Sequence, residues 1–347
     1  MEDKYVFGVI ETGQPGAGEA KLPLPEPVYT VPYRDISAVV MDTAMVDLAS
    51  MPKEAAARYL LRHQQVLEKL TLPVIPMKLG TYVSTYAEIT DVLLFGYRDF
   101  KETFGEIEGK VEIDIAARWS DPDSIIKETG EESEEVQEFK KKLMSKTGGI
   151  TIEDQMKAGC TVKKALEGRN KKTASEIAGA FSEIALAQRT HVLMDDSMIL
   201  NAALLVRNND RKRFDAILDK LDGLYQGRIN FRCIGPLPTY SFYTAEIKKV
   251  GSGELDKAKK LLGLWDYPVC KNEIEKAYRQ RARMCHPDVV GHTRRKGQIC
   301  LSPEIESTEE FNEINRAYRL LIECSASGAC HREDGSVLII EIMRIRE

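Results

Sequence analysis

Residues Arg228 to Phe242 read RINFRCIGPLPTYSF. Ile229, Phe231 and Cys233 alternate with Asn230 and Arg232, the period of a strand with one buried face. Gly235-Pro236-Leu237-Pro238 then stops that strand, because a proline donates nothing to a ladder and biases its predecessor towards extended backbone. Upstream, strand and helix patterns alternate. Downstream, the text is helical and basic, centred on His286-Pro287-Asp288. The stretch therefore divides the chain into a mixed α+β body and an appended helical module.

Composition narrows the class. A chain of 347 residues predicts two or three domains. Its 43% hydrophobic and 30% charged residues are ordinary for a globular protein. A formal net charge of −5 gives no global reason to expect nucleic acid. No run approaches the roughly 18 apolar residues of a membrane helix. The opening MEDKYVFGVI is not a secretory signal, so a cytoplasmic location is expected. Seven scattered cysteines read as reduced thiols.

Along the body, Tyr5 to Ile10, Val28 to Val31 and Ile36 to Met41 read as strands. Gly13 and Gly18 have phosphate-loop spacing, but Glu19 follows where Lys is required, and its carboxylate would repel phosphate. Lys53 to Leu70 predicts a helix behind Pro52, with Ala57, Leu60, Leu61, Gln64, Leu67 and Leu70 on its inner face and His63 at the edge. Pro73 to Val83 is strand-like, and Tyr86 to Phe104 reads as a helix. Val111, Ile113, Ile115 and Ala117 alternate with Glu112, Asp114, Ala116 and Arg118 in a strand. A charged helical insertion follows from Ser124 to Asp195, its last helix expected over Ile177 to Met194. Leu200 to Val206 predicts a buried strand, Phe214 to Leu224 a helix, and Ile229 onward the closing strand. This order predicts a ferredoxin-like α/β sandwich for the second half of the body, with one strand not evident.

Four phrases in this order resemble the gas vesicle GvpL/GvpF family. They are Tyr5-Val6-Phe7-Gly8-Val9, Pro76-Met77-Lys78-Leu79-Gly80-Thr81, Gly109-Lys110-Val111-Glu112 and Gly235-Pro236-Leu237-Pro238-Thr239-Tyr240-Ser241-Phe242. The family usually carries Trp and a further Pro where this chain has Leu237 and Thr239. The resemblance implies a two-domain α+β protein that helps to build gas vesicles through contact with the shell protein or other accessory proteins. It transfers no catalytic residue.

Beyond a polar linker at Lys248 to Glu254, helices are expected at Leu255 to Leu262, Lys271 to Cys285 and Glu309 to Glu323. Gly263 stops the first. Ile274, Ala277, Tyr278 and Ala282 face inward on the second; Phe311, Ile314, Ala317, Tyr318 and Leu321 do so on the third. Leu262-Gly263-Leu264, Ala277-Tyr278-Arg279, His286-Pro287-Asp288 and Ala317-Tyr318 resemble the J-domain of Hsp70 co-chaperones. That resemblance implies an Hsp70-binding surface of Lys276, Arg279, Arg283, His286, Pro287 and Asp288, a basic face and a stiff loop steering towards an acidic partner. Arg281 stands where a core leucine is common, Val289 where a lysine is usual, and the loop to Thr308 is long. A hairpin kept only for packing or docking is the other reading. Val337 to Ile345 is β-rich and is expected to return to a sheet of the body or to pair with a partner strand.

Cys285-His286, His292, Cys300, Cys324 and Cys330-His331 raise the question of zinc, but no pair has the two-to-four-residue gap of a zinc knuckle. Asp195-Asp196 read as a helix end, and neither a serine elbow nor a cysteine–histidine nucleophile is present. The expectation is a non-enzymatic assembly factor without metal or cofactor. It binds the gas vesicle shell protein and accessory proteins, through sheet edges or a groove between its domains, and Hsp70 through the module. No contact with nucleic acid or membrane is expected. It would reside in the cytoplasm and, as a minor or transient component, in the gas vesicle. The expected domains are 1–108 (α+β), 109–247 (ferredoxin-like), 248–328 (J-domain-like) and 329–347 (a tail with a strand). The alternative is a general Hsp70 co-chaperone whose body binds unrelated clients; an enzyme with an unrecognised pocket is the third reading.

Overall fold

The computed structural model describes residues 3–12, 27–70, 73–146, 149–264, 270–285, 303–325 and 329–345, with the side chains of its last long helix from Phe311 onward. Two compact units emerge, residues 1–104 with 244–343, and residues 105–243 with 344–347.

The first unit is organised on β1 (Asp3–Glu11), whose residues Tyr5 to Ile10 are all buried. Antiparallel β3 (Ile36–Thr43) lies on one side of it, with β2 (Val28–Tyr33) beyond. On the other side, β4 (Val74–Pro76) and β5 (Tyr82–Val83) share the edge. The strand-like stretch Pro73 to Val83 is thus two short strands. Gly8 is needed where β1 bulges, since a Cβ there would come within 2.9 Å of the Ile75 carbonyl oxygen. Helix α1 (Lys53–Glu68) contacts β1, and α2 (Tyr86–Ile107) buries Ile89, Val92, Leu93, Phe100 and Phe104 at helical spacing. The inner face of α1 differs from the expected one. His63, Val66 and Leu67 are buried, whereas Leu60 and Leu61 are 42% and 55% exposed.

The second unit has the βαββαβ order. It runs β6 (Lys110–Trp119), α3 (Pro122–Glu132), α4 (Glu134–Met144), α5 (Ile152–Ala180), β7 (Ala185–Thr190), β8 (Met198–Arg207), α6 (Arg211–Tyr225) and β9 (Ile229–Leu237). All pairs are antiparallel in the sheet order β7-β8-β6-β9, the ferredoxin-like arrangement. Ile113, Ile115, Ile177, Phe181, Leu204 and Phe214 anchor its core, with Phe181 and Phe214 stacked at 4.8 Å. Each such buried side chain contributes about 1.5–3 kcal/mol. The strand hidden in the sequence is β7. The expected helix to Met194 stops at Ala180, and Val192 and Met194 are exposed. Asp195 is not a helix end; it accepts from Ser197 and pairs with Arg118 in the turn before β8. Nor does Gly235-Pro236 stop the last strand: β9 runs through this cis peptide bond to Leu237, which pairs with Glu112 across a register shift.

In the first unit, a third sheet has the order β10 (Thr244–Val250), β12 (Val337–Met343), β11 (Ala329–His331). Lys248 to Val250, expected in a linker, close β10, and the tail strand pairs with it residue for residue, from Thr244 opposite Met343 to Val250 opposite Val337. Between β10 and β11 the chain inserts α7 (Ser252–Leu262), α8 (Lys271–Cys285) and α9 (Pro303–Cys324). The helical module is therefore held at both ends by one small sheet. Met77, just past β4, bridges Ala245 of β10.

Candidate partner-binding surface

The module's core comes from Leu255, Leu262, Ile274, Ile314, Ala317 and Leu321 of its helices together with Val337 and Ile339 of β12. Tyr278 of α8 stacks on Tyr318 of α9 at 4.1 Å, and its hydroxyl donates to Asn315 Oδ1 at 2.7 Å. These contacts fix which side of α8 faces out. Gly263, at φ 74°, caps α7 in the left-handed region that suits glycine. Arg281 does not fill a leucine's place in the core. Its guanidinium reaches over Gly263, 3.4 Å from where a Cβ would stand.

Lys276, Arg279 and Arg283, at i, i+3 and i+7, all lie exposed on α8. With Asn272, Glu275 and Gln280 they line one shallow groove. Arg279 is partly neutralised by Glu275 at 3.1 Å, while Lys276 and Arg283 form no ion pair among the described residues. His286, Pro287 and Asp288 lie outside the described residues, as do Val289 and the basic run Arg294-Arg295-Lys296. Of the six residues expected at the partner surface, three share one face of α8.

The seam between the module and α2 escaped the sequence reading. Glu88 of α2 is 3% exposed, yet it takes Arg332 Nη1 at 2.7 Å, Lys249 Nζ, and the Ser84 backbone N–H at 2.7 Å. Arg332 Nε donates to Asp91 at 2.9 Å. Burial alone would raise the Glu88 carboxyl, but Lys249, Ser84 and Arg332 outweigh it and hold it below the usual range. A lone arginine just before the acidic turn Glu333-Asp334 was the available signal.

Two buried titratable sites lie in the body. In the first unit, His63 is 3% exposed rather than at a helix edge. The Tyr5 hydroxyl meets its Nδ1 at 2.8 Å, the ring also bonds the Met77 backbone, and Tyr82 and Phe7 pack edge-on to Tyr5. Burial pushes the imidazole down to about 4 and the Tyr5 phenol up to about 12. The ring is therefore neutral near pH 7, and Tyr5 donates to it. In the second unit, Glu112 is 1% exposed and accepts from the Ser241 N–H at 2.8 Å and hydroxyl at 2.7 Å. Burial, and to a lesser degree Asp114 beside it, pushes Glu112 up to about 7; burial raises Asp114 too, and its Oδ1 has no hydrogen-bond partner. The phrase ending at Phe242 thus does more than pack. Ser241 holds a carboxyl, while Phe242 and Tyr243 are buried.

Cys324 and Cys330 are buried, with thiols pushed up to about 11, so they stay protonated. Among the described residues no cluster of three or more His, Cys, Asp or Glu could hold a metal. No helix among them is long and apolar enough to cross a membrane.

Comparison with known proteins bears on both halves. Residues 3–244 match the family described as gas vesicle synthesis protein GvpL/GvpF, and residues 262–325 match the DnaJ domain. Gas vesicle protein F1 of Halobacterium salinarum is 22% identical over 246 residues, covering 71% of this chain and 95% of that protein. Gas vesicle protein F of Haloferax mediterranei is 23% identical over 251 residues, with the same shares. The crystal structures of GvpF from Anabaena and from Microcystis aeruginosa superpose with TM-scores of 0.56 and 0.53. Their identities are 18% and 20%, and each alignment covers 70% of this chain and 98% of the other. The likeness establishes the fold of the body.

Proposed function

The chain belongs to the gas vesicle GvpL/GvpF family and takes part in gas vesicle assembly, and from that premise we propose that it acts by binding and not by catalysis. The observation that carries this reading is the family match across residues 3–244, the whole body with its ferredoxin-like second half. The partners are the vesicle shell protein or other accessory proteins, engaged in the cytoplasm. Sheet edges are the natural means. β7 is paired only with β8 in the described sheet, so its outer backbone groups can accept an added strand.

The module recruits an Hsp70 to restrain aggregation of the apolar client. Support comes from the DnaJ match at 262–325 and from the exposed Lys276, Arg279 and Arg283 face. The resemblance adds His286, Pro287 and Asp288, which follow α8 in the sequence, to that contact. The test is ATP hydrolysis by an Hsp70 from the same organism. The full chain should accelerate it, and Asp288→Asn should remove the acceleration. A wild-type chain that gives none makes the module a docking element instead.

A further inference from the structure

The first unit has a cavity of about 190 Å³ between β1, β3, β5 and α1, with the buried His63 in its lining. Its lining is largely apolar and aromatic, with the rings of Tyr5, Phe7, Tyr59 of α1 and Tyr82. Arg58 and Arg62, one helical turn apart, complete the lining. Both are exposed, and among the described residues neither forms an ion pair. Arginines at this spacing stand about 5–6 Å apart at Cβ, close enough for both guanidiniums to meet one carboxylate. Other cations of the first unit already hold carboxylates, as Lys101 does Asp35 at 2.9 Å and Arg98 does Glu102 at 2.9 Å. The two arginines at this cavity are unspent.

Size and charge then select the occupant. Sites for drug-sized molecules and cofactors take about 300 Å³ or more, so this cavity admits one large side chain and not a nucleotide. Aromatic walls favour a bulky apolar group, and a cationic rim favours a negative charge next to it. We propose that the cavity bounded by Tyr5, Phe7, Tyr59, Arg58 and Arg62 binds an acidic peptide segment of a partner protein. One large apolar side chain seats between the aromatic rings, and a neighbouring carboxylate rests on the two guanidiniums. The neutral His63 in the lining adds no charge. The inference stands independently of the Hsp70 reading, because the cavity belongs to the body.

The probe is acetyl-Glu-Phe-Glu-amide, titrated into the isotopically labelled full chain and followed by amide chemical shifts. Saturable shifts should centre on residues 5–7, 58–63 and 82. Acetyl-Glu-Gly-Glu-amide and acetyl-Lys-Phe-Lys-amide should bind at least about tenfold more weakly. Arg58→Glu with Arg62→Glu changes only exposed side chains and should cost at least about tenfold in affinity, with the amide spectrum elsewhere unchanged. Lack of saturation by the acidic probe would overturn the proposal. So would equal binding of either control peptide, equal shifts from inorganic phosphate alone, or unaltered affinity in the folded double variant.

Discussion

In the body, ionisable side chains are buried on a helix and on a strand: His63 of α1 is 3% exposed and Glu112 of β6 1%. In the helical module the arrangement is reversed, with Lys276, Arg279 and Arg283 standing on the open face of α8 above a core of Leu, Ile, Ala and Tyr. A buried titratable group ties stability to pH through the difference between its folded and unfolded pKa. An exposed cation contributes little to stability and acts on encounter with a charged partner, where salt screens it. The body should thus answer to pH and the module to ionic strength.

The seam formed by Arg332 and Glu88 is the place to break that contrast, because there the appended part buries a charge. Breaking a buried ion pair costs about 3–5 kcal/mol, and Lys249, which stays on Glu88 when Arg332 is removed, sets the low end of that range here. Arg332→Met should therefore destabilise the first unit by about 3 kcal/mol in denaturant unfolding, more than any change on the α8 face.

His63 should give the next largest effect. Its folded pKa lies near 4, below the ordinary value, so the unfolded chain binds the extra proton between about pH 6.5 and 4. Stability of the first unit should fall by about 3 kcal/mol as pH drops through that window. Glu112 works the other way. Its folded pKa is raised to about 7, so the folded chain holds the proton, and stability of the second unit should rise as pH falls from about 7 to 4.5. Amide hydrogen exchange, corrected for intrinsic rates, should show protection in β1 and in β6 moving in opposite directions between pH 6.5 and 4.5. Asp114→Asn should flatten the β6 response and stabilise the second unit at pH 8 by about 1–2 kcal/mol.

The smallest effect on folding belongs to the module. Lys276→Glu with Arg283→Glu should change stability by less than about 0.5 kcal/mol. The same pair should weaken Hsp70 stimulation several-fold and reduce its salt dependence, read from ATP hydrolysis at two ionic strengths. Loss of folding without loss of coupling would reverse the contrast between the two regions.

Much of this architecture was legible in the sequence because burial on one face leaves a period. Ile229, Phe231 and Cys233 turn inward as their alternation predicts, and the faces of α8 and α9 follow their helical spacing. What was hidden had a physical cause in each case. β7 reads ALAQRT, good helix formers continuing a helical text, and only its half-buried alternation as an edge strand betrays it. β10 is obscured by Lys248 and Lys249, which sit in a strand because the C-terminal residues 337–343 cover it, a partner some 90 residues away. On α1 the count of leucines favoured the wrong face. His63 turns inward since Tyr5 offers its ring a hydrogen bond, a pairing across 58 residues that helical periodicity does not register. The Glu112 site is similar, for its two donors come from Ser241 in the family phrase itself. The exposed basic face of α8 followed from local spacing; the seam at Arg332 and the cavity at Arg58 and Arg62 required the fold.

The central claim is a part in gas vesicle assembly, and the most direct measurement is deletion of the gene followed by flotation and electron microscopy of the cells. Loss of buoyant vesicles, restored by supplying the full chain, is the expected result. Normal vesicles in the deletion strain would contradict the account.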